Sequence, residues 1–198
     1  MSSHTDKRGA TLGMWLFLYT EFMLFGALFL LYGAYYYRYT GDFNDGGREL
    51  DLFFGVVNTV VLLISSFTAA CSIESMKRKM KGAALILLGM TILLGIVFLF
   101  NKYIEWNHKF ESGIFPGSEY LAEGPQGRSV FFALYFTLTG LHAVHIISGL
   151  AVFSICLYLI KSGRIVSGKT GFLENSGLYW HLVDIIWIFL FPLFYLIL

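Results

Sequence analysis

The sequence predicts an all-α integral membrane bundle of five transmembrane helices, with the N-terminus in the cytoplasm and the C-terminus outside. Three observations carry this expectation. Of 198 residues, 57% are hydrophobic and only 14% charged, with a mean hydropathy of +0.67, well beyond the composition of a water-soluble domain. Apolar stretches of about 20 residues, enough helix to cross about 30 Å of hydrocarbon, recur five times. Of 27 charged side chains, 25 fall between these stretches, and only Glu21 and Asp184 fall within one.

The first span covers residues 11–37. Lys7 and Arg8 precede it as they would a secretory signal, but its apolar core is about twice the length of a signal core and no small-residue cleavage site follows, so it is expected to remain in the mature chain. The second and third spans cover 52–71 and 83–100. The fourth, 130–160, and the first exceed the minimum length and are expected to tilt or project beyond the bilayer. The fifth covers 178–198. Together they form one membrane domain over residues 1–198, and no internal repeat divides it into the inverted halves of many transporters.

Orientation follows from lysine and arginine. The N-terminal tail and the 72–82 and 161–177 loops carry nine between them, against five in the 38–51 and 101–129 loops, which places the tail in the cytoplasm. Near-neutral charge, 14 basic against 13 acidic residues, leaves no basic surface for nucleic acid. Cys71 and Cys156 lie far apart in apolar runs, as small buried hydrophobes do. Phosphate-binding loops, nucleophile elbows and metalloprotease motifs are missing from the sequence, so no catalytic, cofactor-binding or metal-ligating residue is expected.

What chemistry the chain has must lie in its membrane-embedded polar residues. Glu21 sits ten residues into the first span, about 15 Å deep, where a carboxylate is costly unless protonated or paired. It is a functional candidate, with packing by a hydrogen-bonded neutral acid as the competing account. In the fourth span His142 and His145 share a face with Gly149, and Gly140 adds a second point of close helix approach. A haem or copper site is weakly suggested by these histidines and His181, against histidines bonded across helices. In the fifth span His181 and Asp184 are neighbours one turn apart. Trp180, Asp184 and Trp187 form a stripe near the expected interface, where Asp184 is to be satisfied by His181, a tryptophan N–H or another helix. Asn58 and Ser65 mark a polar stripe for helix packing in the second span. A small independent proton conductor titrating at Glu21 is the alternative from a different class.

Several motifs then occur in order along nearly the whole chain. They are Leu12-Gly13-Met14-Trp15-Leu16-Phe17 followed by Glu21; Asn58-Thr59 with Ser65-Ser66 and Thr68; and Glu105-Trp106. Thr139-Gly140-Leu141-His142-Ala143-Val144-His145 with Gly149 comes next, and Tyr179-Trp180-His181-Leu182-Val183-Asp184 leading to Trp187 closes the series. In these the chain resembles subunit III of the haem-copper respiratory oxidases, in the five-helix bacterial form that lacks the two extra N-terminal helices of the larger members. The resemblance implies an accessory subunit in the bacterial inner membrane, with haem and copper on partner subunits and none on this chain. Its partner would be the catalytic subunit I with the other oxidase subunits, and it would bind phospholipid. Glu21 matches the family's carbodiimide-sensitive glutamate, associated with lipid and proton uptake. His142, His145, His181 and Asp184 match its other buried polar positions. A cytochrome c oxidase is the favoured reading; a quinol oxidase or a nitric-oxide-reductase accessory protein is the alternative.

Overall fold

A computed structural model describes residues 7–196 and contains seven helices among them, with no strand. Five are long and apolar enough to cross a membrane: α1 (Lys7–Arg38), α3 (Leu52–Lys77), α4 (Lys81–Glu111), α6 (Gln126–Lys161) and α7 (Gly171–Tyr195). Two short helices, α2 (Thr40–Arg48) and α5 (Glu119–Ala122), lie in the connections that the sequence reading treats as loops. Ile197 and Leu198, the end of the expected fifth span, lie outside the described residues.

The helices outrun the apolar stretches. At 1.5 Å per residue α6 is about 54 Å long and α4 about 46 Å, both well beyond a 30 Å hydrocarbon core. An apolar run ends at the first charge, but a backbone helix need not. Lys102 and Glu105, assigned to a connection by the sequence, therefore lie on α4, where both are buried. The start of α7 at Gly171 likewise changes the expected place of the Tyr179-Trp180-His181 segment. His181 lies about 15 Å and Asp184 about 20 Å along α7 from Gly171.

Local chemistry explains the ends. Asp51 caps α3 by accepting a hydrogen bond from the Phe53 N–H at 2.9 Å. Gly113 and Gly163 adopt left-handed φ of 71° and 73° after α4 and α6. The following Ile114 and Arg164 N–H groups reach back to the carbonyls of Lys109 and Leu159.

The core lies among α3, α4, α6 and α7, with Trp180 at its centre. The buried indole occupies a slot whose two walls are glycine: a Cβ on Gly149 of α6 would lie 2.6 Å from Trp180 Cε3, and one on Gly95 of α4 would lie 3.0 Å from Cη2. Its Nε1–H donates to Ser65 Oγ of α3 at 2.8 Å, so one α7 side chain joins three other helices. Trp187 repeats the device, donating to Thr59 Oγ1 at 3.0 Å and standing edge-on to Phe98 at 4.8 Å. By contrast α1 packs at the periphery, with only 11% of its most apolar stretch buried.

Filling the indole slot should be costly. Gly149→Ala is expected to destabilise the bundle by about 1–3 kcal/mol through overpacking against an immobile ring. Gly82→Ala, whose Cβ would meet nothing within 4 Å, serves as the neutral control. Thermal unfolding of the two purified variants in the same detergent checks the contrast.

Candidate functional site

Glu21 is joined across helices to His145. Its Oε2 lies 2.8 Å from His145 Nε2, and the two side chains are 15% and 12% exposed, so solvent or lipid touches only an edge of the pair. The other ring nitrogen of His145, Nδ1, is 2.7 Å from the Leu141 carbonyl oxygen one turn back on α6. A carbonyl can only accept, so Nδ1 must carry hydrogen. One further proton then lies between Nε2 and the carboxyl, whether the acid or the imidazolium holds it. In either placement the pair has no net charge, which makes a glutamate tolerable at mid-membrane.

The surroundings hold this imidazole in place. Phe25 of α1 stands edge-on to the ring at 5.3 Å, and Tyr179 of α7 donates its hydroxyl to the His145 carbonyl oxygen at 3.1 Å. Beside the pair runs an open groove of about 450 Å³ between α1, α6 and α7. Met14, Phe17, Val144 and Phe172 line it with His145, Ser148, Asn175 and Tyr179. Its wall is largely apolar, with the carboxyl–imidazole pair at one side. Such a surface suits an alkyl chain and offers no cationic grip for an anion.

The other residues singled out by the sequence go to different places. His142 faces inward, between Phe98 at 5.5 Å and Trp187 at 5.2 Å, with neither ring nitrogen hydrogen-bonded. His181 turns toward α3, with Nδ1 2.6 Å from Ser66 Oγ. The three membrane histidines thus have three separate environments. Among the described residues no group of three or more His, Cys, Asp or Glu converges as metal ligands would. Asp184 is buried, and the polar group beside it is Ser66 of the neighbouring helix α3. His181 is engaged by Ser66, Trp180 and Trp187 donate to Ser65 and Thr59, and both carboxyl oxygens lack a hydrogen bond. Asn58 pairs with Asn101 of α4 at 3.0 Å, and Gly140 lies under the Trp106 ring.

A second polar cluster, missed by the sequence reading, ties α4, α6 and α7 together. Lys102 Nζ donates to Glu105 Oε2 at 3.1 Å, Tyr135 Oη at 3.0 Å and Tyr195 Oη at 2.7 Å, while both tyrosine hydroxyls donate to Glu105 Oε1 at 2.5 Å. All three ammonium hydrogens and both carboxylate oxygens are thereby used. The Tyr135 ring also lies 4.6 Å from the ammonium. The available signal was the i,i+3 spacing of a lysine and a glutamate directly after an apolar run, which reads equally well as a solvated loop.

A family model described as "Cytochrome c oxidase subunit III" matches residues 2–197. A Pseudomonas putida protein named "Cytochrome bo(3) ubiquinol oxidase subunit 3" is 33% identical over 98% of this chain and 88% of its own length. A "Probable quinol oxidase subunit 3" of Staphylococcus saprophyticus is 34% identical over 94% of this chain and 88% of its own. A "Probable cytochrome c oxidase subunit 3" of Rickettsia bellii is 30% identical over 98% and 72%.

Two substitution series test the two clusters. Glu21→Gln should retain stability close to that of the parent, because the amide N–H can donate to Nε2, whereas Glu21→Leu strands the imidazole and should cost about 1–3 kcal/mol. Lys102→Met should cost about 3–5 kcal/mol by leaving a buried carboxylate unpaired, with much of the loss recovered on adding Glu105→Gln. Unfolding midpoints in detergent, arranged as a double-mutant cycle, measure the coupling.

Proposed function

From its membership of the cytochrome c oxidase subunit III family, to which this chain belongs, we propose that it serves as the accessory, cofactor-free third subunit of a haem-copper terminal oxidase. In this role it docks on the catalytic subunit I in a bacterial inner membrane, with its N-terminus in the cytoplasm, and holds phospholipid. It also supports proton uptake by the catalytic subunit. Haem and copper belong to its partners. The relatives' names divide between quinol and cytochrome c oxidases, and quinol oxidase is as well supported for this chain as the cytochrome c enzyme favoured by the sequence reading.

The observation that carries the proposal is Glu21 bonded to His145 beside an apolar groove. The shared proton can pass between carboxyl and imidazole while the pair stays neutral overall, which suits a group beside a proton-uptake path. The groove has the volume and the largely apolar lining to take part of an acyl chain.

Purification of the tagged chain in mild detergent should bring down a haem-bearing subunit visible in a reduced-minus-oxidised spectrum. The haem type and the presence or absence of a copper-bearing electron-entry subunit then decide the donor. Glu21→Gln should leave this assembly intact while slowing proton uptake in reconstituted vesicles. A stable, haem-free chain without an oxidase partner would sink the proposal.

A further inference from the structure

One end of the bundle gathers cations that the chain does not neutralise. There α3 gives way to α4 across a tight turn, with Lys77, Arg78, Lys79 and Lys81 in or beside it. At the same end α6 gives way to α7 across a loop that carries Lys161, Arg164 and Lys169. All seven side chains are exposed. The two segments, residues 72–82 and 161–177, contain two acidic residues, Glu74 and Glu174. Glu74 pairs with Arg78 at 2.6 Å and Glu174 with Lys77 at 3.1 Å. Lys79, Lys81, Lys161, Arg164 and Lys169 form no ion pair with any described residue.

The two loops are fastened into one surface. Lys81 Nζ donates to the Lys161 carbonyl oxygen at 3.2 Å, and Ser167 Oγ donates to the Lys77 carbonyl oxygen at 2.9 Å. The Lys77–Glu174 ion pair is a third link between them. The opposite end treats its cations differently: Arg48, Lys102 and Arg128 each face a carboxylate at 2.8–3.7 Å, and Lys109 donates to the Glu49 carbonyl. The turns differ as well. After α4 and α6 the left-handed position is taken by Gly113 and Gly163, whereas after α3 it is taken by Lys79 at φ 64°. A lysine there bears a backbone cost that glycine avoids, and it adds a charge to the surface.

We propose that this basic surface binds the acidic phospholipid headgroups of the leaflet that it adjoins and selects them over zwitterionic ones. The inference needs only that the helices cross a bilayer, not the accessory role, and it concerns a surface distinct from the groove beside Glu21. Turns that join successive membrane-crossing helices and carry this many charges lie at the headgroups, where a phosphodiester supplies the counter-charge that the chain omits. Apolar side chains interrupt the cations: Met80, between Lys79 and Lys81, is 48% exposed, and Val166, between Arg164 and Lys169, is 42% exposed. Alternation of this kind fits the boundary between phosphate and acyl chain, with the lysine stems lying along hydrocarbon and the ammonium groups among the phosphates.

The test exchanges the purified full chain into detergent micelles holding equal amounts of phosphatidylglycerol and phosphatidylcholine, and counts bound lipid by native mass spectrometry. Phosphatidylglycerol should be retained several-fold over phosphatidylcholine at low salt, and the preference should collapse at high salt. It should also be lost when Lys79→Gln, Lys81→Gln, Lys161→Gln, Arg164→Gln and Lys169→Gln are combined, a variant that keeps both ion pairs and whose fold is checked by circular dichroism. Replacing the four lysines by arginine should preserve the preference, as should Arg38→Gln with Arg48→Gln at the other end. Equal retention of the two lipids by the parent, or an unchanged preference in the folded glutamine variant, overturns the proposal. An equal loss in the Arg38→Gln, Arg48→Gln variant overturns its location. A zero-length amine-to-carboxyl crosslink from Lys79 or Lys169 to another protein in native membranes also overturns it, by giving the surface to an acidic protein face.

Discussion

A polar atom inside hydrocarbon has no water to fall back on, and the arrangement of α3, α4, α6 and α7 follows from that constraint. The hydrophobic effect gives little reason for one apolar helix to prefer another over lipid, so the helices meet where polar groups need partners and where small residues let them approach. Trp180 combines these demands. Its indole fills a slot that only Gly95 and Gly149 leave open, and its N–H finds Ser65. Trp187 to Thr59, Asn101 to Asn58, and Thr68 with Thr91 extend the same ladder along the seams of α3 with α4 and α7.

Charge is buried by two different solutions. Lys102 and Glu105 form a closed cage, in which every hydrogen of the ammonium and both oxygens of the carboxylate are engaged by groups from three helices. That cage stiffens one end of the bundle and leaves little freedom to exchange protons. Glu21 and His145 instead form an open pair at the edge of a groove, held in register by the Leu141 carbonyl, Phe25 and Tyr179. The two clusters have similar ingredients and opposite accessibility. The second adjoins a groove that a mobile molecule could enter.

The peripheral position of α1 follows from the same accounting. It is apolar around nearly its whole circumference, and its cross-helix polar links are few: Glu21 to His145, and the Tyr32 hydroxyl to the Leu193 carbonyl at 2.5 Å. A helix attached this way can leave a groove beside it without exposing unpaired backbone, whereas separating α3 from α4 or α7 would strand several side-chain donors.

The sequence by itself determined the all-helical class and the five spans, and it singled out Glu21, His145, Trp180 and Trp187 as polar groups within them, because hydrocarbon thickness and the cost of a buried polar group are properties of single segments and residues. Helix ends were less legible. A run of apolar residues stops at Lys102 whether or not the helix does, and Gly171 begins a helix whose first turns are too polar to join the apolar run. The tertiary structure alone decided pairing: that His142 faces the core while His145 meets Glu21, that Ser66 takes His181 and leaves Asp184 without a hydrogen bond, and that Lys102 closes on Tyr135 and Tyr195. These contacts join residues up to 124 positions apart and depend on how each helix is rotated against its neighbours, which the spacing of residues within one helix does not specify.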